Sequence, residues 1–120
     1  MAANPLTVER LGAFGRQGVL CLRGPLTKEN ILSFQNAIRR EESSETVIID
    51  FSEVPYVDSA GLGSLVTAYL SRQKLGRGVA LTGVNERVYR LLEITKLESI
   101  FLIFPTIDEA LAALTNAAEA

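Results

Sequence analysis

Apolar residues along the chain recur at two spacings, every second position and every third or fourth, and each change of spacing marks a new element. Leu6 and Val8, set against Thr7 and Glu9, predict a half-buried strand from Leu6 to Leu11. Gly12, Gly15 and Gly18 punctuate the turn that follows, and Gly18 to Arg23 makes a second strand, so the chain opens on a β-hairpin. Gly24-Pro25 breaks the pattern. Thr27 then caps a helix whose apolar positions Ile31, Phe34 and Ile38 fall three and four residues apart. Arg39 and Arg40 suit its C-terminal turn, and the polar run Glu41 to Glu45 reads as solvated charge.

Thr46 to Asp50 is nearly all apolar and β-branched, as in a central strand covered on both faces. After Pro55 a helix follows, with Leu62, Leu65, Val66, Tyr69 and Leu70 as its apolar side and Gly76 as its end. Gly78 to Thr82 is a further short strand. Asn85 caps a third helix, which turns Val88, Leu91, Leu92 and Thr95 to one side and pairs Glu86 with Arg90 on the other. Ser99 to Phe104 is the last strand. Thr106 to Glu109 has capping-box spacing and opens a final helix through Ile107, Ala110, Leu111 and Leu114, with Asn116 to Ala120 expected to fray. The order implies an α/β fold: a mixed, mostly parallel sheet opened by a hairpin, with four helices. It forms a single domain over residues 1–120, with its core between about 6 and 114.

Composition narrows the function more than the fold. Hydrophobic residues are 48% of the 120 and charged residues 22%, ordinary for a globular domain. The formal net charge is −2 with no basic block, so nucleic-acid binding is not expected. The chain has no histidine, which removes Ser/Cys–His catalysis and imidazole metal sites together. The single cysteine, Cys21, excludes an internal disulfide and reads as a small core residue. The longest apolar run, Ile100 to Phe104, is too short to cross a bilayer, and Met1 to Arg10 lacks a secretory pattern. A cytoplasmic protein without metal, cofactor or membrane partner is expected.

Candidate chemistry concentrates at Val57-Asp58-Ser59-Ala60-Gly61-Leu62-Gly63, in a loop at the carboxyl end of a parallel strand, where functional loops collect. Asp58 or Ser59 serves as helix N-cap, and a phosphate on Ser59 would face the positive end of the helix dipole. Gly61 and Gly63 each cost the helix about 1 kcal/mol relative to Ala, so they need another reason, and close approach of a second surface supplies one. Three enzyme signatures fail here. Val57 stands where a nucleophile elbow needs glycine, no lysine accompanies Gly61 or Gly63 as in a P-loop, and Val66 replaces the third glycine of a dinucleotide fingerprint. Asp50, Glu53 and Asp58 lack a facing acid cluster and read as surface and capping acids rather than catalytic ones.

The hexapeptide Asp58-Ser59-Ala60-Gly61-Leu62-Gly63 resembles the Asp-Ser-Ser/Ala-Gly-Leu-Gly signature of the STAS domain family, the bacterial anti-sigma-factor antagonists. Val47 to Phe51 with Val57-Asp58 resembles the family's strand and approach loop, Gly24-Pro25-Leu26 its Gly-x-Leu element, and Asn85 to Leu97 its third helix. The resemblance implies a non-enzymatic partner switch. The unphosphorylated protein binds an anti-sigma factor, usually a serine-protein kinase; the kinase phosphorylates Ser59 and binding is lost; a serine phosphatase restores it. Asp58, Ser59, Ala60, Gly61, Leu62 and Gly63 would then form the partner surface, with Gly61 and Gly63 admitting the partner to the backbone. Thr27 joins them from a loop at the same end of the sheet, in place of the family's frequent acid. Two competing readings remain: a structural subunit of a lipid-transport ATPase complex or stress-sensing assembly, and an enzyme or small-ligand binder using the same loop.

Overall fold

The protein, a computed structural model describing residues 5–119, begins with β1 (Thr7–Phe14) and β2 (Gln17–Arg23) in a hairpin. Helices and strands then alternate: α1 (Ile31–Arg40), β3 (Thr46–Glu53), α2 (Ser59–Lys74), β4 (Gly78–Thr82), α3 (Glu86–Ile94), β5 (Leu102–Phe104) and α4 (Ile107–Glu119). The five strands lie side by side in chain order, β1 antiparallel to β2 and every later neighbour parallel. This is the mixed, mostly parallel sheet with four helices that the alternation predicts. The tail residue Ala120 lies outside the described residues.

β2, β3 and β4 alternate their side chains between two cores. Leu20, Leu22, Val47, Ile49, Phe51, Val79 and Leu81 face α1, α2 and α3, meeting Phe34, Ile38, Leu65, Val88 and Leu92. Val19, Ile48 and Ala80 face the other way, under Ala110, Ile107, Leu111 and Leu114 of α4. Burying each large side chain here is worth about 1.5–3 kcal/mol against exposure. Cys21 is buried and free, as its apolar neighbours predict.

Several local boundaries differ from the pattern, each for a physical reason. β1 continues past Leu11 to Phe14, because a β-bulge between Arg10 and Gly12 resets the alternation, with Gly12 at φ 139°. Gly12 and Gly18 therefore lie in strands, and the turn is Gly15-Arg16 alone. α1 begins at Ile31 with Asn30 at its N-cap position, while Thr27 belongs to the turn before it. β5 is only three residues long, since Glu98 to Ile100 form a turn and Phe101 packs edge-on against Tyr69, ring centroids 5.7 Å apart. The buried face of α2 is Gly61, Ser64, Leu65, Ala68 and Arg72, so of the apolar side read from the sequence only Leu65 is fully buried; Leu62, Val66 and Tyr69 are half-buried and Leu70 is exposed. Small side chains let α2 lie close to α1 and the sheet, which size-blind hydrophobic periodicity does not register.

Three charged residues, Glu41, Arg72 and Asp50, are buried structural groups, against the expectation of solvated or surface charge for Glu41 and Asp50. Glu41 is only 1% exposed and receives Arg10 Nε at 2.6 Å, Arg10 Nη2 at 3.3 Å and the Ser44 hydroxyl at 3.0 Å. Gly18 makes the room, since a β-carbon there would stand 2.0 Å from Glu41 Oε1. The Arg72 guanidinium, also buried, donates to the carbonyls of Gly78, Glu41 and Ser44 at 2.9, 2.8 and 2.6 Å, tying α2 to the loop ahead of β3. Asp50 is likewise buried rather than a surface acid, accepting from the Thr82 hydroxyl at 2.8 Å and from the Ser52 hydroxyl. Glu53, by contrast, is exposed and paired with Arg23 at 3.0 Å.

Candidate functional site

Because β2, β3 and β4 are parallel, the loops leaving their carboxyl ends meet at one end of the sheet. Hydrogen bonds lock these loops together. Leu26 and Val57 form a parallel bridge, in which the Leu26 N–H donates to Tyr56 O and the Asp58 N–H to Leu26 O, both at 3.2 Å. Asn85, at the head of α3, accepts from the Val88 N–H at 2.8 Å as N-cap, and its amide also donates to the carbonyls of Val54 and Pro55 at 3.1 and 3.2 Å. The Arg87 guanidinium lies over the Tyr56 ring, 5.1 Å from the centroid.

Asp58 is the N-cap of α2, and Ser59 is the first helical residue. One Asp58 oxygen accepts from the Gly61 N–H at 2.8 Å, and the other accepts from the Lys28 N–H at 3.0 Å. The carboxylate therefore caps its own helix and latches the neighbouring loop. The Gly61 N–H above all, helped by the Lys28 N–H and opposed by burial, holds the Asp58 carboxyl below its usual range. A fixed negative charge thus stands beside Ser59 at neutral pH. Ser59 itself is exposed, and its hydroxyl takes no part in these bonds.

The two glycines of the motif have different surroundings. Gly61 is buried, and a β-carbon on it would stand 2.1 Å from Leu26 O and 2.8 Å from Leu26 C. The second surface that Gly61 admits is therefore the protein's own Leu26 loop. Gly63 is exposed, with nothing within 4 Å of its missing β-carbon. Ala60 and Leu62 are half-buried around it. Thr27 is 7% exposed, its hydroxyl donating to Glu29 Oε2 at 2.9 Å and accepting from the Asn30 amide at 3.2 Å. Thr27 braces the loop from beneath, while Lys28 and Glu29 form its exposed rim.

The structure brings together Asp58, Ser59 and Gly63 as an open helix start and sets Thr27 and Gly61 behind it. Sequence reasoning passed over Leu26, Lys28, Tyr56 and Arg87 as parts of this site. Asn85 gave the one available signal, since a cap uses its oxygen and leaves two amide hydrogens to spend. Among the described residues no group of three or more His, Cys, Asp or Glu side chains is placed to hold a metal ion. No helix among them is long and apolar enough to cross a membrane.

Comparison with known proteins bears on the family and the fold. An anti-sigma-B factor antagonist of Listeria monocytogenes is 44% identical over 55 residues, 46% of this chain and 48% of its own length. An anti-sigma F factor antagonist of Paenibacillus polymyxa is 31% identical over 85 residues, 71% of this chain and 69% of its own. The chain spans only about half the length of two of the curated relatives it matches, 58% and 48%. Among solved structures, the anti-sigma factor antagonist SpoIIAA in its unphosphorylated form superposes with a TM-score of 0.78 over 92% of this chain and 97% of its own; at 16% identity this is a likeness of fold. The STAS domain model matches residues 5–110, and with the Asp58–Gly63 turn built as described, the chain belongs to the STAS domain family.

Proposed function

We propose that this protein is an anti-sigma-factor antagonist, a cytoplasmic binding protein that works by switching partners. Unphosphorylated, it binds an anti-sigma factor and so frees a sigma factor. The anti-sigma factor, acting as a serine-protein kinase, phosphorylates Ser59, and a serine phosphatase reverses the step. Curated relatives named as anti-sigma factor antagonists support this reading. Asp58, Ser59, Ala60, Leu62 and Gly63 form the contact surface; Gly61 and Thr27 hold the α2 start and the Leu26 loop in the shape that the partner reads.

The observation that carries the proposal is the exposed Ser59 hydroxyl, one residue past an ionised carboxylate and at the first position of a helix of 16 residues. A phosphate there adds about −1.5 to −2 charges beside the charge of Asp58. Within the monomer the helix start tolerates it, because first-turn N–H groups and the helix dipole favour an anion. Across an interface the same group must be desolvated next to a like charge, which opposes binding. The fold persists and the contact is lost.

Capture from host lysate with wild-type, Ser59→Asp and Ser59→Ala baits, read by mass spectrometry, tests this. Wild type and Ser59→Ala retain an anti-sigma factor of the serine-kinase type, and Ser59→Asp loses it while keeping its far-ultraviolet circular dichroism. Equal retention of that factor by Ser59→Asp, or retention by all baits of a transporter ATPase instead, overturns the reading.

A further inference from the structure

A groove of about 240 Å³ runs between the loop that leads to Ser59 and α3. Its apolar lining is Val57, Val88, Leu91 and Ile94, and Ile94 is 72% exposed, the largest exposure of any big apolar side chain among the described residues. Tyr56, Arg87 and Arg90 complete the lining, which contains no carboxylate among the described residues. Arg90 is partly neutralised by Glu86, at 3.1 Å on the same helix. Arg87 makes no ion pair among the described residues; its only specific contact there is the Tyr56 ring, whose loop reaches Ser59 three residues later. Stacking fixes the guanidinium plane while leaving its edge N–H groups free to donate.

An apolar trough rimmed by cations and lacking any anion is complementary to a segment that brings an apolar side chain together with a carboxylate. The trough shares Val57 with the bridge that shapes the Ser59 turn, so a partner seated on Ser59 is already beside it. We propose that this groove is a second contact for the protein partner that covers Ser59. It takes an acidic-apolar segment of that partner, with the carboxylate at Arg87 and the apolar side chain between Val57 and Ile94. The inference rests on the antagonist reading and adds to it a salt-dependent component of binding that lies outside the phosphorylation turn.

The test is a calorimetric titration of the anti-sigma factor retained by wild type, purified, against wild type, Arg87→Glu, Arg87→Lys and Ile94→Asp. It is run at about 50 mM and about 500 mM sodium chloride, where screening differs strongly. At low salt Arg87→Glu binds roughly tenfold more weakly, Arg87→Lys falls between it and wild type, and the gap closes at high salt. Ile94→Asp also binds more weakly at either salt. Both positions are exposed, so thermal unfolding of these variants stays close to wild type. If the factor binds wild type and is lost with Ser59→Asp, yet Arg87→Glu and Ile94→Asp bind within roughly twofold of wild type, the groove is overturned and the antagonist reading stands. Tighter binding by Arg87→Glu overturns it as well, by showing a cation opposite. If no anti-sigma factor binds wild type, the antagonist reading itself fails and the groove inference falls with it.

Discussion

The carbonyl oxygen of Leu26 occupies the space in which any side chain on Gly61 would have to begin, 2.1 Å from the position of its β-carbon. That oxygen also accepts the Asp58 N–H, so the Leu26 loop, the N-cap and the first turn of α2 converge on one carbonyl. The contact explains why a glycine is accepted in a helix that would otherwise favour almost any other residue.

Gly61→Ala brings two opposed effects. Helix propensity gains about 1 kcal/mol, while overpacking costs about 1–3 kcal/mol. The obstacle is hydrogen-bonded backbone rather than a side chain that can rotate away, so the clash wins and urea unfolding shows a net loss of stability. Gly63→Ala meets open space and gains roughly 0.5–1 kcal/mol. If Gly63 admits the partner, the same substitution weakens binding, and stability and affinity move in opposite directions.

Asp58 carries a pH dependence whose direction follows from its bonds. The Gly61 and Lys28 N–H groups stabilise the ionised form, so the folded pKa lies below the unfolded one. The resulting stabilisation is complete above the ordinary carboxylate pKa and is lost as the pH falls through the depressed folded value. Asp58→Ala costs about 1 kcal/mol at neutral pH through the lost cap. Asp58→Asn can still accept from Gly61, but its amide turns a donor toward the Lys28 N–H. It is therefore less stable at pH 7 and loses less on acidification, which urea midpoints measured down to about pH 2.5 would register.

Arg72 holds three carbonyls with one planar group, a geometry that a lysine ammonium on a single stem does not reproduce. Burial first, and then Arg77, lowers the Arg72 pKa, with Glu41 opposing; an arginine still stays charged there. Arg72→Lys leaves at least one buried carbonyl unpaired and destabilises the fold by about 2 kcal/mol, read by denaturant unfolding. Amide exchange should rise first between Glu41 and Ser44, the segment that the guanidinium pins.

Much of this architecture was legible in the chain because its signals are local. Asn85 caps α3, Gly76 follows the end of α2 at φ 71°, Thr106 accepts the Glu109 N–H at 3.1 Å, and Glu86 pairs with Arg90, all as spacing predicts. Caps and helix pairs join residues three or four apart, and strand alternation needs only neighbours. The hexapeptide around Ser59 was legible for the same reason, as a run of adjacent residues. The β1 boundary failed at Gly12 because a bulge inserts one residue that no local rule announces.

By itself, then, the sequence determined the order of elements, the mixed sheet, the family signature and the helix start that exposes Ser59. Only the tertiary structure decided what surrounds that start. The Lys28 N–H meets Asp58 across 30 residues, Arg10 meets Glu41 across 31, and Arg72 reaches Glu41 across 31. It alone showed that Gly61 answers to Leu26 while Gly63 faces outward, and that Arg87 stands over Tyr56 with no carboxylate paired to it among the described residues. The physical reason is the range of the forces. Backbone propensity and capping act within one helical turn, whereas burial, close approach and ion pairing depend on which surfaces the folded chain presses together.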